Sequence, residues 1–256
     1  MWHYRLLQVL MVALLASCVT TQESPYTSKV NKPRALETQI QIAVSYLQEN
    51  QPEKAIFHLK QAVEDNPESA RVHEILALAL EKAGEQELAL SHFRKMVQFE
   101  PTYSRGRANF GSYLIRQGNC KEAIKQLKIV TEDIYYPNRA TTYYQIGKCQ
   151  HELGNFEEVG AMYQKAVKLD GNFALAYLEI AQHEFNNKQY AKSLEYLKIY
   201  RTKVEKASAG ALLLSIRLAR IFEDIDGEAS YTLALKNLYP DSAEYLEYLN
   251  TLRGKK

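Results

Sequence analysis

From residue 35 onward, small and apolar positions recur along the chain at a fixed interval. Segment 51–62 (QPEKAIFHLKQA) has the same order of turn, polar and apolar residues as segment 85–96 (EQELALSHFRKM), which begins 34 residues later. Pro67 follows the first segment and Pro101 the second, and a helix must end near a proline because proline has no amide hydrogen to donate. The pattern therefore predicts a series of helices joined by turns, about thirteen in all, and no sheet.

A 34-residue period with alanine at these places resembles the tetratricopeptide repeat, in which each unit is an antiparallel pair of helices, A and B. The resemblance implies an all-α fold: a right-handed superhelix of about six such pairs, completed by a capping helix over 242–252. The folded domain is expected to cover 35–252, leaving 253–256 as a tail. Its repeats are expected at 36–69, 70–103, 104–137, 140–173 and 174–207, with a degenerate sixth repeat at 208–241.

Small residues occur where helix A should cross helix B, since a larger side chain would push the two helices apart. These positions are Ala43, Ala77, Gly111, Gly147 and Ala181. Glycine also precedes helix B in three repeats, where a residue past a helix end often adopts positive φ. These glycines are Gly84, Gly118 and Gly154. Two extra residues near 135–138 predict a longer turn between repeats three and four.

The N-terminus has a different pattern, with a basic start, an apolar stretch and then a cysteine. A membrane-spanning helix needs ~20 apolar residues, and this stretch is shorter and is interrupted by Gln8. The run Leu15-Ala16-Ser17-Cys18 resembles the lipobox of secreted bacterial lipoproteins, which implies that 1–17 is a signal peptide and that Cys18 becomes the acylated N-terminus. A buried amphipathic helix with a chance cysteine is the alternative, but the apolar residues lack a 3.6-residue rhythm.

The lipobox also implies a location. Several acyl chains on Cys18 would hold the protein to a lipid bilayer, and Val19 after the cysteine, rather than aspartate, points to the outer membrane in that class of lipoproteins. The polar segment 18–34, which contains Pro25 and Pro33, is expected to be a flexible tether. The protein is therefore expected to be lipid-anchored in the outer membrane and to face the periplasm.

Charge and motif content argue against several functions. The chain has 32 basic and 30 acidic residues, so there is no basic excess of the kind that nucleic-acid binding needs. The histidines do not follow a metal-binding spacing, the serines form no nucleophile elbow, and the glycines are isolated. We therefore expect no enzyme activity, no metal and no cofactor; a hydrolase is the rival of a different class.

Two cysteines remain in the repeats. Cys120 opens helix B of repeat three and Cys149 lies late in helix A of repeat four, and these helices are adjacent when repeats stack. In an oxidising periplasm such a pair should form a disulfide. The alternative is two small buried thiols.

The remaining function is protein binding along the surface lined by the A helices. Ile40 and Val44 occupy the places where carboxylate-clamp repeats have Lys and Asn, so we do not expect that type of clamp. Asn109 lies where related domains use asparagine to bind a peptide backbone, although a polar surface role would fit equally well. The residues expected to form a peptide-binding groove on this surface are Ile40, Val44, Leu47, Arg71, Glu74, Leu78, Arg105, Ala108, Asn109, Ser112, Tyr144 and Lys148.

The lipobox, the tether and the repeats together resemble the PilF/PilW family of type IV pilus biogenesis lipoproteins, the pilotins. The cysteine pair and the run Asn109-Phe110-Gly111-Ser112-Tyr113-Leu114 strengthen this resemblance. It implies that the protein binds the secretin subunit of the pilus machinery and assists its assembly in the outer membrane. Another lipoprotein scaffold, serving β-barrel assembly or cell-wall enzymes, would share the anchor and the repeats and remains the alternative.

Overall fold

The computed structural model of the chain describes residues 32–253. Within that range thirteen α-helices follow one another without a strand, which confirms the all-α fold. The expected signal peptide, Cys18 and most of the tether lie outside the described residues. The helices are α1 (Lys32–Gln48), α2 (Pro52–Asp65), α3 (Ala70–Lys82), α4 (Gln86–Phe99), α5 (Ser104–Arg116), α6 (Cys120–Glu132), α7 (Arg139–Glu152), α8 (Phe156–Leu169), α9 (Ala174–Asn186), α10 (Tyr190–Arg201), α11 (Ala209–Ile221), α12 (Ile225–Leu238) and α13 (Ala243–Arg253).

The first of two compact units ends at Pro67, and its described part is a single hairpin of α1 and α2. Pro52 is the first residue of α2, where its missing amide hydrogen costs nothing because that amide has no partner within a helix. Ala43 and Leu59 are fully buried. His58 is stacked on Tyr46 with ring centroids 5.6 Å apart, which gives this histidine a packing role.

The second unit, from Glu68 onward, consists of five further hairpins and α13. The A helices are α3, α5, α7, α9 and α11, and each packs against the B helix that follows it. Several helices begin with a side chain that accepts a hydrogen bond from the first turn, among them those capped by Ser69, Asn119, Ser208 and Asp224. Such caps satisfy amide groups that have no partner within the helix.

Large side chains explain the glycines at two of the A–B crossings. A Cβ atom on Gly111 would lie 2.5 Å from Cδ2 of Leu127, and one on Gly147 would lie 2.5 Å from Cε1 of Tyr163. Leu127 and Tyr163 are both buried in their B helices. These two repeats therefore require glycine where the other repeats accept alanine.

The turn between the helices of every hairpin contains a residue with left-handed φ. Gly84, Gly118 and Gly154 have φ of 86°, 71° and 77°, as expected from the sequence. The equivalent residues of the other hairpins are Asn50, Lys188 and Glu223, which adopt φ near 60° without being glycine. The turn geometry is thus common to all six hairpins although the glycine is not.

Two connections between hairpins are longer than the others. The connection 133–138 joins α6 to α7 and is two residues longer than 100–103 or 170–173, as the sequence predicts. The connection 202–208 between α10 and α11 is longer still, which the sequence did not indicate. No helix within residues 32–253 is both long enough and apolar enough to cross a membrane.

The final helix, α13, packs on α11 and supports the expected role of a cap. Tyr248 is buried against Leu212 and Leu213, and Tyr245 and Leu249 pack beside it. Leu246 and Leu252 are also apolar residues of α13, but they are exposed. The cap therefore buries only part of its apolar surface.

Candidate functional site

The A helices of the second unit are joined to one another by side chains about one repeat apart. Nε of Arg116 on α5 lies 2.7 Å from Oε1 of Glu81 on α3, and Nζ of Lys148 on α7 lies 3.3 Å from Oε1 of Glu179 on α9. Between these pairs, Nε2 of Gln145 on α7 donates to Oγ of Ser112 on α5 at 2.8 Å. Neighbouring A helices thus form one continuous polar surface.

A cavity of about 330 Å³ opens in this surface between α5 and α7. The side chains around it carry no formal charge, and they combine amides, hydroxyls and one aromatic ring. We call this cavity the groove. It is lined by Ala108, Asn109, Ser112, Tyr136, Asn138, Thr141, Thr142 and Gln145.

Glu74 fixes the orientation of Asn109 at one side of the groove. The Glu74 side chain is only 1% exposed, and its carboxylate accepts hydrogen bonds from Asn109 Nδ2 at 2.7 Å and from the Tyr103 hydroxyl at 2.5 Å. Arg105 supplies an ion pair at 3.2 Å. Because a carboxylate only accepts hydrogen bonds, the amide nitrogen of Asn109 must face Glu74. The carbonyl oxygen of Asn109 is therefore left to face a ligand.

Tyr103 remains a hydrogen-bond donor to Glu74 at physiological pH. Burial raises the pKa of the Tyr103 hydroxyl, and the hydrogen bond to Glu74 and the charge of that carboxylate raise it further. The hydroxyl therefore remains protonated and keeps donating to Glu74 throughout the physiological pH range.

The side-chain amide of Gln145 is oriented like that of Asn109, with its nitrogen bound to the protein and its oxygen left over. The hydroxyl of Ser112 donates to the carbonyl oxygen of Ala108 at 3.0 Å, so it is an acceptor for Nε2 of Gln145. The carbonyl oxygen of Gln145 is then available to a ligand. The groove thus presents two oriented acceptors, one from each helix, and is suited to a ligand that donates hydrogen bonds, such as the amide groups of an extended peptide.

The connection 133–138 forms one wall of the groove and is held in place by Asp133. The Asp133 carboxylate accepts hydrogen bonds from Ser104 Oγ at 2.6 Å and from the Tyr135 amide at 3.0 Å, and these bonds lower the pKa of Asp133. Tyr135, which is 88% exposed, and Ile134 project from this connection. A second cavity of about 480 Å³ adjoins the groove through Tyr136, Asn138 and Thr141.

Tyr144 and Lys148 lie further along α7. The ring of Tyr144 packs against Phe173 with centroids 5.1 Å apart, and Lys148 is paired with Glu179. Burial, followed by the charge and hydrogen bond of Glu179, raises the pKa of Tyr144 to about 12. These two residues therefore form a packed and paired edge rather than free binding groups.

Only some of the residues that the sequence predicted for peptide binding line the cavity between α5 and α7. Asn109, Ser112 and Ala108 do line the groove, whereas Arg71 and Leu78 are half-buried and Arg105 is exposed beside it.

Three of the residues that were expected to contact a ligand are buried: Ile40, Glu74 and Ala108. Ile40 is 2% exposed, and Val44 and Leu47 in the same helix are half-buried. Glu74 is covered because Tyr103, Arg105 and Asn109 close over its carboxylate. Ala108 reaches the groove with only a small part of its surface. For Ile40 and Glu74 the expectation of a direct ligand contact is therefore wrong.

Thr141 occupies an outward position of helix A in the repeat pattern, whereas sequence reasoning missed the other four groove residues: Tyr136, Asn138, Thr142 and Gln145. The signal for Gln145 was present, because it occupies the same place in repeat four that Asn109 occupies in repeat three. The other three lie in or beside the connection 133–138, whose path cannot be derived from the repeat pattern.

A disulfide joins Cys120 at the start of α6 to Cys149 near the end of α7, with Cα atoms 5.0 Å apart. It links hairpins three and four, the two that form the groove. Both cysteines are buried, so the bond lies inside the stack. Such a link restricts the separation of the two hairpins when the chain opens.

The described residues contain no group of three or more His, Cys, Asp or Glu side chains that could hold a metal ion. His73 and His92 approach to 2.8 Å between their Nδ1 atoms, so one imidazole donates a hydrogen bond to the other. Phe99 stacks on His73, which fits a packing role.

Comparison with known sequences agrees with this architecture. The tetratricopeptide-repeat pattern matches residues 40–104 and 140–173. The type IV pilus assembly protein PilF of Pseudomonas aeruginosa is 31% identical over 235 residues, which is 91% of this chain and 93% of that protein.

Solved structures give the same result. A structure of Pseudomonas aeruginosa PilF superposes with a TM-score of 0.79 and 31% identity, covering 86% of this chain and 99% of that one. The structure of PilW, described as a widely conserved type IV pilus biogenesis factor, has a TM-score of 0.71 and 21% identity, covering 84% and 98%. At that lower identity PilW supports the fold alone.

Proposed function

This chain belongs to the PilF family of tetratricopeptide-repeat proteins of type IV pilus biogenesis, and we propose that within that process it is the pilotin of the pilus secretin. One observation carries the proposal: 31% identity to PilF extends over 91% of this chain and 93% of the relative, so it is not limited to the repeat consensus. A scaffold that shared only the repeats would match over a shorter span.

The first part of the proposal concerns the anchor. Acylated Cys18 would insert its chains into the outer membrane, and each buried methylene contributes ~0.8 kcal/mol to that attachment. A secretin subunit bound to the repeats would then be delivered to the same bilayer. Tethering raises the effective concentration of the subunit at the membrane without any additional protein contact.

The second part concerns the groove. Asn109 and Gln145 present oriented acceptors on opposite helices, and Tyr136 adds an aromatic ring to the lining of the groove. An extended secretin segment supplies amide donors at regular intervals along its backbone, which complements these acceptors. Since the groove carries no formal charge, we expect its occupant to be uncharged where it lies between α5 and α7.

Replacement of Cys18 by alanine tests the anchor. The variant should fold normally but leave the outer-membrane fraction, and secretin multimers and surface pili should decrease in cells that contain only this variant. Multimers and piliation at wild-type levels would contradict the delivery role.

A bulky substitution in the groove tests the binding site. Thr141 is exposed at the groove and makes no side-chain hydrogen bond in the structure, so Thr141→Arg should fill the cavity without disturbing the fold. We expect Thr141→Arg to retain at least ~tenfold less secretin in pull-downs from detergent-solubilised envelopes. Ser230→Arg, at an exposed position of α12, is the matched control and should bind as wild type. Equal retention by both variants would place the binding site elsewhere.

A further inference from the structure

The turns between A and B helices lie along one edge of the second unit, because its hairpins stack in sequence. Turns two and three are joined by a hydrogen bond of 3.0 Å from Nε2 of Gln117 to Oε1 of Gln86. The disulfide between Cys120 and Cys149 joins turn three to the end of the next A helix. We call this row of turns the turn edge and number each turn by its hairpin.

Turn four combines exposed apolar and acidic side chains. Leu153 is 46% exposed and Phe156 is 56% exposed, so turn four presents two large apolar side chains to solvent. The carboxylates of Glu152, Glu157 and Glu158 are exposed around them, and residues 149–164 contain no lysine or arginine.

Turn five has the opposite charge. Lys188 and Lys192 are both exposed there, and the half-buried ring of Tyr190 lies between them in sequence, packed on Phe185 with centroids 5.4 Å apart. In the part of the chain that the structure describes, Glu157, Lys188 and Lys192 make no ion pair, within their own turns or between them. The neighbouring turns therefore expose unpaired charges of opposite sign.

We propose that the turn edge binds a second copy of this chain, with a two-fold axis between turns four and five. In a two-fold interface, a contact from the first surface to the second is repeated from the second to the first. Turn four of each copy then faces turn five of the other. The carboxylate of Glu157 therefore faces Lys188 and Lys192 of the opposing copy, and symmetry repeats this contact a second time. Leu153 and Phe156 are covered by the Tyr190 region of the opposing copy.

The same axis also brings turns of opposite charge together on either side of turns four and five. It places turn three opposite turn six, where exposed Lys121 and Lys125 on one side face exposed Glu223 and Asp226 on the other. Turn six also exposes Ile225, so apolar surface lies beside the charges here as it does at turn four. A parallel arrangement of two copies would instead place each acidic turn against another acidic turn. The alternation of charge thus selects the antiparallel two-fold pairing.

This interface goes beyond the proposed binding of a secretin and leaves the groove open. Helix α7 begins at Arg139 beside the groove and ends at Glu152 beside turn four. At 1.5 Å per residue, its two ends are separated by about 20 Å. A dimer through the turn edge would therefore carry two accessible grooves.

Sedimentation velocity of the mature chain 18–256 carrying Cys18→Ala, which has neither the signal peptide nor the acyl chains, tests the proposal. The species should shift from the monomer mass towards twice that mass as the protein concentration rises, and the shift should weaken with added NaCl. Glu157→Lys and Lys188→Glu should each raise the dimer dissociation constant at least ~tenfold, since each variant creates repulsion at two symmetric contacts.

The combined variant E157K/K188E supplies the decisive result. It exchanges the charges of the facing turns, so the dimer dissociation constant should return to within ~threefold of the parent value. Lys168→Glu, at the opposite end of hairpin four, is the control and should not alter association. A monomer at all concentrations, insensitivity to the single reversals, or failure of the double variant to recover would overturn the proposal. The proposal would also be overturned if the chain stayed monomeric and the charge reversals weakened only its binding to another envelope protein.

Discussion

At the scale of single residues, the crossing glycines of the second unit are positions where even a methyl group would collide with a buried side chain. A Cβ on Gly147 meets the buried ring of Tyr163, which is already enclosed by Val159 and Ile180. Alanine is normally better than glycine in a helix by ~1 kcal/mol, so any loss of stability at this site must come from the collision.

We expect Gly147→Ala to lower the free energy of unfolding by about 1–2 kcal/mol, because the buried ring of Tyr163 must shift to make room for the added methyl group. Gly210→Ala is the matched control: it is also helical, and its added Cβ meets nothing nearer than Oε1 of Glu244 at 3.7 Å. Urea unfolding of both variants measures the difference. A loss of stability in both variants, or in neither, would contradict the steric explanation.

The histidine pair should make stability depend on pH. Burial lowers the pKa of His92 from 6.5 to about 4, with further contributions from the charges of His73 and Lys95. Between pH 6.5 and about 4 the unfolded chain therefore binds a proton that the folded chain does not. The stabilisation is complete above pH 6.5 and is lost as the pH falls towards 4.

We expect the stability advantage of the wild type over His92→Gln to fall by about 1 kcal/mol between pH 7 and pH 4.5. This figure allows for solvent screening of a half-buried ring, since a full pKa unit corresponds to about 1.4 kcal/mol. Urea unfolding of both proteins at the two pH values is the measurement. Parallel pH dependence of the two proteins would show that His92 does not titrate as described.

The amino-acid sequence predicts part of the groove, and the part that it does not predict depends on contacts between repeats. The spacing of Asn109 and Gln145 could be read from the sequence because both occupy the same place in a repeat. The burial of Glu74 could not, because its partners Tyr103, Arg105 and Asn109 lie in α5 or directly before it, 29 to 35 residues away. A periodic pattern shows which way a residue points, but not whether the next repeat covers it.

At the scale of the element, the turns between A and B helices share one backbone geometry despite different sequences. Glycine at positions 84, 118 and 154 made three of these turns predictable, whereas Asn50, Lys188 and Glu223 carry no such signal. The hairpin itself imposes left-handed φ on these three residues, at a cost of about 1 kcal/mol each for a side chain with a Cβ. Local propensity is overridden there by the packing of the two helices.

Exchanging these residues should therefore change stability in opposite directions. We expect Glu223→Gly to raise the free energy of unfolding by about 0.5 kcal/mol and Gly84→Ala to lower it by about 1 kcal/mol. A Cβ on Gly84 meets no atom within 4 Å, so the second effect would come from the backbone alone. Thermal or urea unfolding at low protein concentration measures both. Changes of the same sign would contradict the shared geometry.

At the scale of the whole molecule, the fold followed from the 34-residue period, since each hairpin leaves an apolar face that only a neighbouring hairpin can bury. The groove did not follow from the period. It depends on the connection 133–138, where two inserted residues and the hydrogen bonds of Asp133 place Tyr136 and Asn138 beside α5 and α7. The proposed binding site thus lies where the repeat pattern is interrupted.

The most direct test of the proposed function is photo-crosslinking from the groove in living cells. A photoreactive amino acid at Thr141, in a chain that retains Cys18, should form a covalent adduct with the pilus secretin subunit upon irradiation. The same amino acid at Ser230 is the control and should form none. An adduct from Thr141 alone is the predicted result; the absence of a secretin adduct at Thr141, or equal adducts from both positions, would contradict the proposal that this groove binds the secretin.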